Sequence, residues 1–190
     1  MLAELAGRPL VRHAVERLLE SSVDPVLVVM RVDNDHGYAL RAALKDLPVR
    51  LIENADADSG MSASLAAGLR ALPATAEAVV VALGDQPTIS PDVINRLVAT
   101  WRATGKPIVV PLYAGVRAHP VLFARTVFPE LLGVRGDQGG REVIACDPGR
   151  VAEITLDEKP PVDVDRREDL SKLGEVRWHP ERGEGSARTE

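Results

Sequence analysis

Short valine-rich apolar runs alternate along this chain with segments whose apolar residues recur at helical spacing. Leu10, Ala14, Val15, Leu18 and Leu19 form one stripe, and Pro9 suits the first turn of the helix that carries it. Helical spacing returns over 38–47, over 62–72 before Pro73, and over 90–104. Between these lie extended runs at 25–30, 49–53, 77–83 and 107–112. The run 77–83 (Glu77-Ala78-Val79-Val80-Val81-Ala82-Leu83) reads as a fully buried strand. Strand-helix alternation of this kind predicts an α/β domain whose mostly parallel sheet is wound by right-handed crossovers.

The second half is less regular. A turn at 113–115 precedes a return strand at 119–123, whose antiparallel pairing is left open. Short helices are expected at 126–132 and 140–146, a strand at 150–156 and a last helix at 167–173. The chain then turns polar, and 175–190 reads as a disordered tail behind a single domain spanning 1–174. At 190 residues that domain is long enough to bury a substantial core. The net charge of -5 provides no basic field for nucleic acid. A single cysteine, Cys146, rules out an internal disulfide and a Cys-based zinc cage, and it falls on an apolar helix face as a core residue. No apolar run is long enough to span a bilayer and no signal peptide is evident, so a cytoplasmic protein is expected.

The chemistry concentrates at Gly84-Asp85-Gln86-Pro87, just past the valine-rich strand. In open α/β sheets ligands bind beyond the carboxyl ends of the strands. Asp85 there is either a Mg²⁺ ligand, since Mg²⁺ takes one or two carboxylates with phosphate and water, or a cap for the helix near Ser90. Asp163 and Asp165 alternate on one face of an extended segment and offer a second carboxylate, Asp165 alternatively capping the next helix. Gly60 lets a ligand approach the backbone, and Ser62 either touches that ligand or caps the helix it opens. Asp33-Asn34-Asp35-His36 reads as turn chemistry with a helix cap.

Six segments in order resemble the MobA-like nucleotidyltransferases, and within them the branch of molybdenum cofactor cytidylyltransferases. They are Leu2-Ala3-Glu4-Leu5-Ala6-Gly7-Arg8-Pro9-Leu10, the Gly60-Met61-Ser62-Ala63-Ser64-Leu65 loop, Gly84-Asp85-Gln86-Pro87, His119-Pro120-Val121-Leu122-Phe123, Gly136-Asp137-Gln138-Gly139-Gly140-Arg141 and Asp163-Val164-Asp165-Arg166-Arg167-Glu168-Asp169-Leu170. Gly140 stands where the family pattern has Ala. The resemblance implies a three-layer α/β/α, Rossmann-like fold of the nucleotide-diphospho-sugar transferase type. It also implies a Mg²⁺-dependent reaction in which a molybdopterin phosphate attacks the α-phosphorus of CTP and pyrophosphate leaves. Other branches use GTP or sugar phosphates.

By the same resemblance Asp85 and Asp165 are the catalytic Mg²⁺ ligands, with Asp163 the alternative to Asp165. Asn54, Gly60, Met61, Ser64 and Gly84 face the nucleotide; His119, Asp137 and Arg141 face the acceptor, with Arg117 a further candidate for its phosphate. The family's Gly-rich signature loop and the strand before it lie upstream of the point matched by Met1. The expectation is therefore a truncated or misassigned start, with neighbouring strand edges left open where a central strand belongs. Two other readings stand beside the enzyme. One is a non-catalytic relative that binds the cofactor or a molybdoenzyme. The other is an oxidoreductase on the same scaffold, for which no Gly-x-Gly-x-x-Gly follows a strand.

Overall fold

A computed structural model of the chain describes residues 2–32 and 35–164, together with Asp169 and Leu173. The predicted tail, Asp165 and most of the predicted last helix lie outside the described residues. The elements run β1 (Glu4–Leu5), β2 (Arg8–Pro9), α1 (Leu10–Leu19), β3 (Leu27–Arg31), α2 (Asp35–Leu44), β4 (Arg50–Asn54), α3 (Met61–Ala71), β5 (Ala78–Val81) and α4 (Pro91–Thr104). They continue with β6 (Ile108–Tyr113), β7 (Val116–Arg117), β8 (Val121–Ala124), α5 (Phe128–Gly133), α6 (Arg141–Cys146) and β9 (Val151–Leu156).

The amino-terminal segment makes a tight hairpin before its helix. Ala6 and Gly7 both have positive φ, as a two-residue turn of this hand requires. Pro9 ends β2 and is the N-cap of α1, one position ahead of its expected place inside the helix. The Leu10 N–H donates to Ala3 O at 2.8 Å and closes the hairpin onto α1.

Apart from the β1–β2 hairpin, the strands form two separate sheets. β3 and β4 pair in parallel, from Leu27 opposite Arg50 to Arg31 opposite Asn54. Separately, β5 pairs antiparallel with β8, β8 antiparallel with β6, and β6 parallel with β9, while β7 turns back on β6. The sheet is thus mixed, and the return strand at 119–123 is antiparallel on both its edges.

Helices join the two parts. On one face α3 touches both: a methyl group at Gly68 would stand 3.2 Å from Val29 Cγ2, and Leu69 shares a core with Ile108, Phe123 and the flanking Val79 and Val81. On the other face Val11 and Val15 of α1 pack with Met30 and Leu44, and Val93 and Leu97 of α4 pack with Val109, Leu122 and Ile154. A Ser22 N–H to Asn95 Oδ1 bond of 2.8 Å ties the end of α1 to α4. Among the described residues no strand pairs with the edge of β3 that faces away from β4, or with the edge of β5 that faces away from β8. This corrects the reading of 77–83 as a fully buried strand: only Ala78–Val81 is extended, and all four residues are half-buried.

Smaller departures have local causes. Helix α5 is preceded by a 3₁₀ turn over Arg125–Val127 instead of extending through it. Cys146 is exposed, because α6 is too short for a helical stripe to define its buried face. Among the described residues no helix is long and apolar enough to cross a membrane.

Candidate functional site

The predicted site residues fall in two groups, one past β5 and at the head of β8, the other at the end of β4 and the start of α3. Past β5 the chain turns at Gly84-Asp85-Gln86-Pro87, with the Gln86 N–H donating to Leu83 O at 3.3 Å. Helix α4 starts at Pro91 with Ser90 as N-cap and no side-chain cap, so Asp85 does not cap it. An extended strap from the other end of the chain lies against this turn. The Val164 N–H donates to Asp85 O at 3.1 Å, and the buried Gln86 Nε2 donates to Asp163 Oδ1 at 2.7 Å. The strap is seated by Val164, which packs on Leu10, Leu173 and the partly buried Leu5 and Val162.

His119 stands at the head of β8 beside this pair. Its Nδ1 lies 3.2 Å from Val81 O, and since a carbonyl only accepts, the proton sits on Nδ1 and leaves Nε2 as the acceptor. Burial holds the imidazole below its ordinary value; the Val81 hydrogen bond opposes this, Arg141 adds to it, and Asp163 and Asp85 oppose it. The balance is thus tilted toward the neutral imidazole. Arg141 stands at the start of α6, close enough for its charge to act on His119. Arg117 is committed elsewhere, pairing with Glu153 of β9 at 2.7 Å.

The opposite side is built around Gly60. Its φ of 93° and ψ of -175° belong to a region open essentially to glycine alone. A Cβ there would come within 2.6 Å of Asp137 Oδ1 and 2.8 Å of the Gly136 carbonyl carbon and oxygen. The loop 136–140 thus closes directly on the start of α3. Asp137 Oδ1 accepts from the Met61 N–H at 3.3 Å, so its carboxylate faces the positive end of α3. Gly139 rests against Met61, itself half exposed, and Gly140 against Phe123, whose Cζ would be 2.7 Å from an added Cβ. The Phe123 ring fills the space a methyl group would need, which accounts for glycine at 140.

Asn54 and Ser64 meet each other: Asn54 Nδ2 donates to Ser64 Oγ at 3.1 Å while Asn54 Oδ1 accepts from the Asp56 N–H at 3.0 Å. The pair pins the loop after β4 onto α3. Gly60, not Ser62, is the N-cap of α3, and Ser62 is buried within the helix. Asp33 and Asn34 lie outside the described residues; Asp35 opens α2 and His36 is exposed.

Among the described residues no group of three or more His, Cys, Asp or Glu side chains forms a metal cluster. Carboxylate oxygens such as those of Asp85 and Asp163 are the donor type that a hard divalent cation takes. Gln86, whose side chain no motif reading singled out, is the kind of neighbour that orients such a ligand.

This mixed α/β sheet with helices on it is a nucleotidyltransferase-like fold. A family model for the MobA-like NTP transferase domain matches residues 1–154, and the chain belongs to that family. It is 32% identical over 176 residues to nicotine blue oxidoreductase of Paenarthrobacter nicotinovorans, covering 88% of this chain and 83% of that protein. It is 30% identical over 145 residues to the purine catabolism protein PucB of Bacillus subtilis, covering 74% and 69%. Among solved structures, Rv0371c of Mycobacterium tuberculosis H37Rv in complex with manganese has a TM-score of 0.77 at 26% identity, covering 90% of this chain and 89% of that one.

Proposed function

We propose that this site transfers a nucleotidyl group, CMP from CTP, to the phosphate of a molybdopterin-type acceptor, releasing pyrophosphate. The observation that carries the reading is the joining of Asp163 to the Asp85 turn through Gln86, beside His119 and Arg141. Asp85 and either Asp163 or Asp165 would hold Mg²⁺, which when bound offsets charge on the phosphates. The manganese complex of a structural relative supports a divalent ion of this kind.

In this reading an oxygen of the acceptor phosphate attacks the α-phosphorus as the bond to the bridging oxygen of pyrophosphate breaks. Such transfer depends on positioning and charge neutralisation and needs no protein nucleophile. Asn54, Gly60, Met61, Ser64 and Gly84 line the nucleotide side. Arg141 pairs with the acceptor phosphate, and neutral His119 accepts a hydrogen bond from the acceptor. Asp137 orders the loop between the two sides. A triphosphate also calls for main-chain N–H groups and cations.

The test is pyrophosphate release from CTP, with GTP alongside, in the presence of molybdopterin and Mg²⁺. Asp85→Ala abolishes release while the circular dichroism spectrum is kept; turnover that persists in Asp85→Ala at saturating Mg²⁺ refutes the assignment. The similarity to nicotine blue oxidoreductase favours a second reading, redox chemistry on the same scaffold. Binding of NAD(P)H in preference to CTP selects it.

A further inference from the structure

Arg31 is the last residue of β3, and the proposed transfer leaves it unused. The parallel register sets it opposite Asn54, at the carboxyl ends of both strands, where open α/β sheets take their ligands. Strand alternation fixes its face. Val29 lies toward Gly68 of α3, and Met30 lies toward α1 and α2. Arg31, two residues beyond Val29, therefore emerges on the α3 side, beside the loop that follows β4. There its Nη2 donates to Asp58 Oδ1.

The loop does not depend on that pair. Asn54 Oδ1 accepts from the Asp56 N–H at 3.0 Å, Asn54 Nδ2 donates to Ser64 Oγ at 3.1 Å, and the Ser59 N–H donates to Asp56 O at 2.9 Å. The turn carrying Asp58 is thus tied to β4, to α3 and to itself by other bonds. The ion pair is also open to water, with the Asp58 side chain 89% exposed and that of Arg31 52%, and pairs of this kind hold weakly. Its geometry is one-sided. Arg12 grips Asp46, and Arg150 grips Glu130, through two nitrogens each. Arg31 engages one nitrogen with one oxygen, and among the described residues its Nε and Nη1 have no partner. In a chain of net charge -5, a guanidinium with donors open at the strand end beside Asn54 matches the fork that pairs with phosphate oxygens.

We propose that Arg31 binds a phosphate group of the nucleoside triphosphate, and that Asp58 holds the guanidinium until the nucleotide displaces it. The inference rests on the nucleotide reading of the site and deepens it, because it supplies a cation to the β3–β4 side, where that reading has only uncharged groups.

The test is isothermal titration calorimetry of the full chain with CTP and Mg²⁺, with cytidine as the uncharged comparison. Arg31→Gln is expected to weaken CTP binding by about tenfold, the worth of a hydrogen bond to a charged group, and to leave cytidine binding unchanged. Arg31→Lys, which keeps the charge and loses the fork, falls between. Asp58→Asn removes the competing carboxylate and is expected to tighten CTP binding by about twofold to fivefold. The direction of the Asp58 effect separates this role from a structural one. If the pair merely braces the loop, Asp58→Asn and Arg31→Gln weaken binding alike, cytidine included, and that result overturns the proposal. If the wild-type chain binds neither CTP nor GTP, the nucleotide reading falls and this inference with it. If the wild type binds CTP and Arg31→Gln binds it equally well, only the assignment of Arg31 falls.

Discussion

Replacing Gly60 by alanine strikes the contact by which the loop 136–140 closes on the start of α3. Two costs add. The first is backbone conformation: φ 93° with ψ -175° costs a residue bearing a Cβ about 1–3 kcal/mol. The second is contact, since the new methyl group would lie 2.6 Å from Asp137 Oδ1 and 2.8 Å from Gly136 C and O. Asp137 can rotate away, losing its bond to the Met61 N–H, worth about 1 kcal/mol at its exposed site and 3.3 Å length. The Gly136 backbone has no such freedom, and the 136–140 loop must lift off α3. The sum is about 2–4 kcal/mol, or a fall of roughly 4–16 °C in Tm at about 2–4 °C per kcal/mol for a chain of this size. Gly105→Ala is the control. It also has positive φ, 66°, but an added Cβ would meet nothing within 4 Å, so it should cost only the left-handed strain, about 1 kcal/mol. Urea denaturation of both variants, with and without Asp137→Ala, separates the contributions. Removing the Asp137 carboxylate relieves part of the Gly60→Ala cost and leaves the Gly136 part. Equal destabilisation by Gly60→Ala and Gly105→Ala would refute the reasoning.

Three other perturbations have outcomes set by particular groups. The Tyr113 hydroxyl is buried without a hydrogen-bond partner among the described residues, and burial, with Glu158 adding, pushes its phenol up to about 12. Tyr113→Phe should be neutral or stabilising by about 1 kcal/mol in thermal denaturation, because an unsatisfied hydroxyl is removed from the core; a clear loss of stability would contradict that account. The Arg12 guanidinium, at 2.7 and 2.8 Å, holds Asp46 down from its ordinary 3.8 to about 2. A folded value below the unfolded one contributes stability that is complete above about pH 4 and is lost as pH falls through about 2. The stability difference between wild type and Asp46→Asn should therefore shrink over that window, and a difference that grows on acidification reverses the sign. In hydrogen exchange, alternate amides of β3 and β5 should exchange much faster than those of β6, which pairs on both edges, and uniform protection would count against open edges in solution.

How much of this was legible in the sequence depends on whether a feature is local. Gly60 is legible because a glycine before a helix has a local meaning, and the structure supplies the reason in its φ and in the Gly136 backbone. The antiparallel return of β8 was open in the sequence because pairing direction is a property of partners. The valine run of β5 reads as fully buried, yet burial of a strand needs neighbours on both edges, which composition cannot report. Arg117 looked available for phosphate until Glu153, distant in sequence, was brought beside it by the pairing of β6 with both β7 and β9. Gln86 stood inside the quoted motif as a spacer between Asp85 and Pro87. A long amide just past a buried strand was its only signal, and its partner Asp163 lies far along the chain. Asp165 lies outside the described residues.

The division of the strands into two sheets and the layout of the site bear on each other. Asn54 ends β4 of the β3–β4 pair, while Asp85 follows β5 and His119 precedes β8 of the other sheet. Their relative placement rests on α3, on the α1–α4 contact and on the loop 136–140 closing against α3, not on strand hydrogen bonds. A ligand that touches both sides at once therefore couples two sheets that the backbone leaves unjoined. Mass action gives such a ligand about 2.7 kcal/mol of stabilisation at a hundredfold excess over Kd. Because local opening of β3 relative to β5 separates the two halves of its site, that stabilisation should appear as slower exchange in these two strands. A ligand held by one sheet alone would protect its own sheet and leave the other unchanged, so the exchange pattern distinguishes a nucleotide spanning the break from one resting on either side of it.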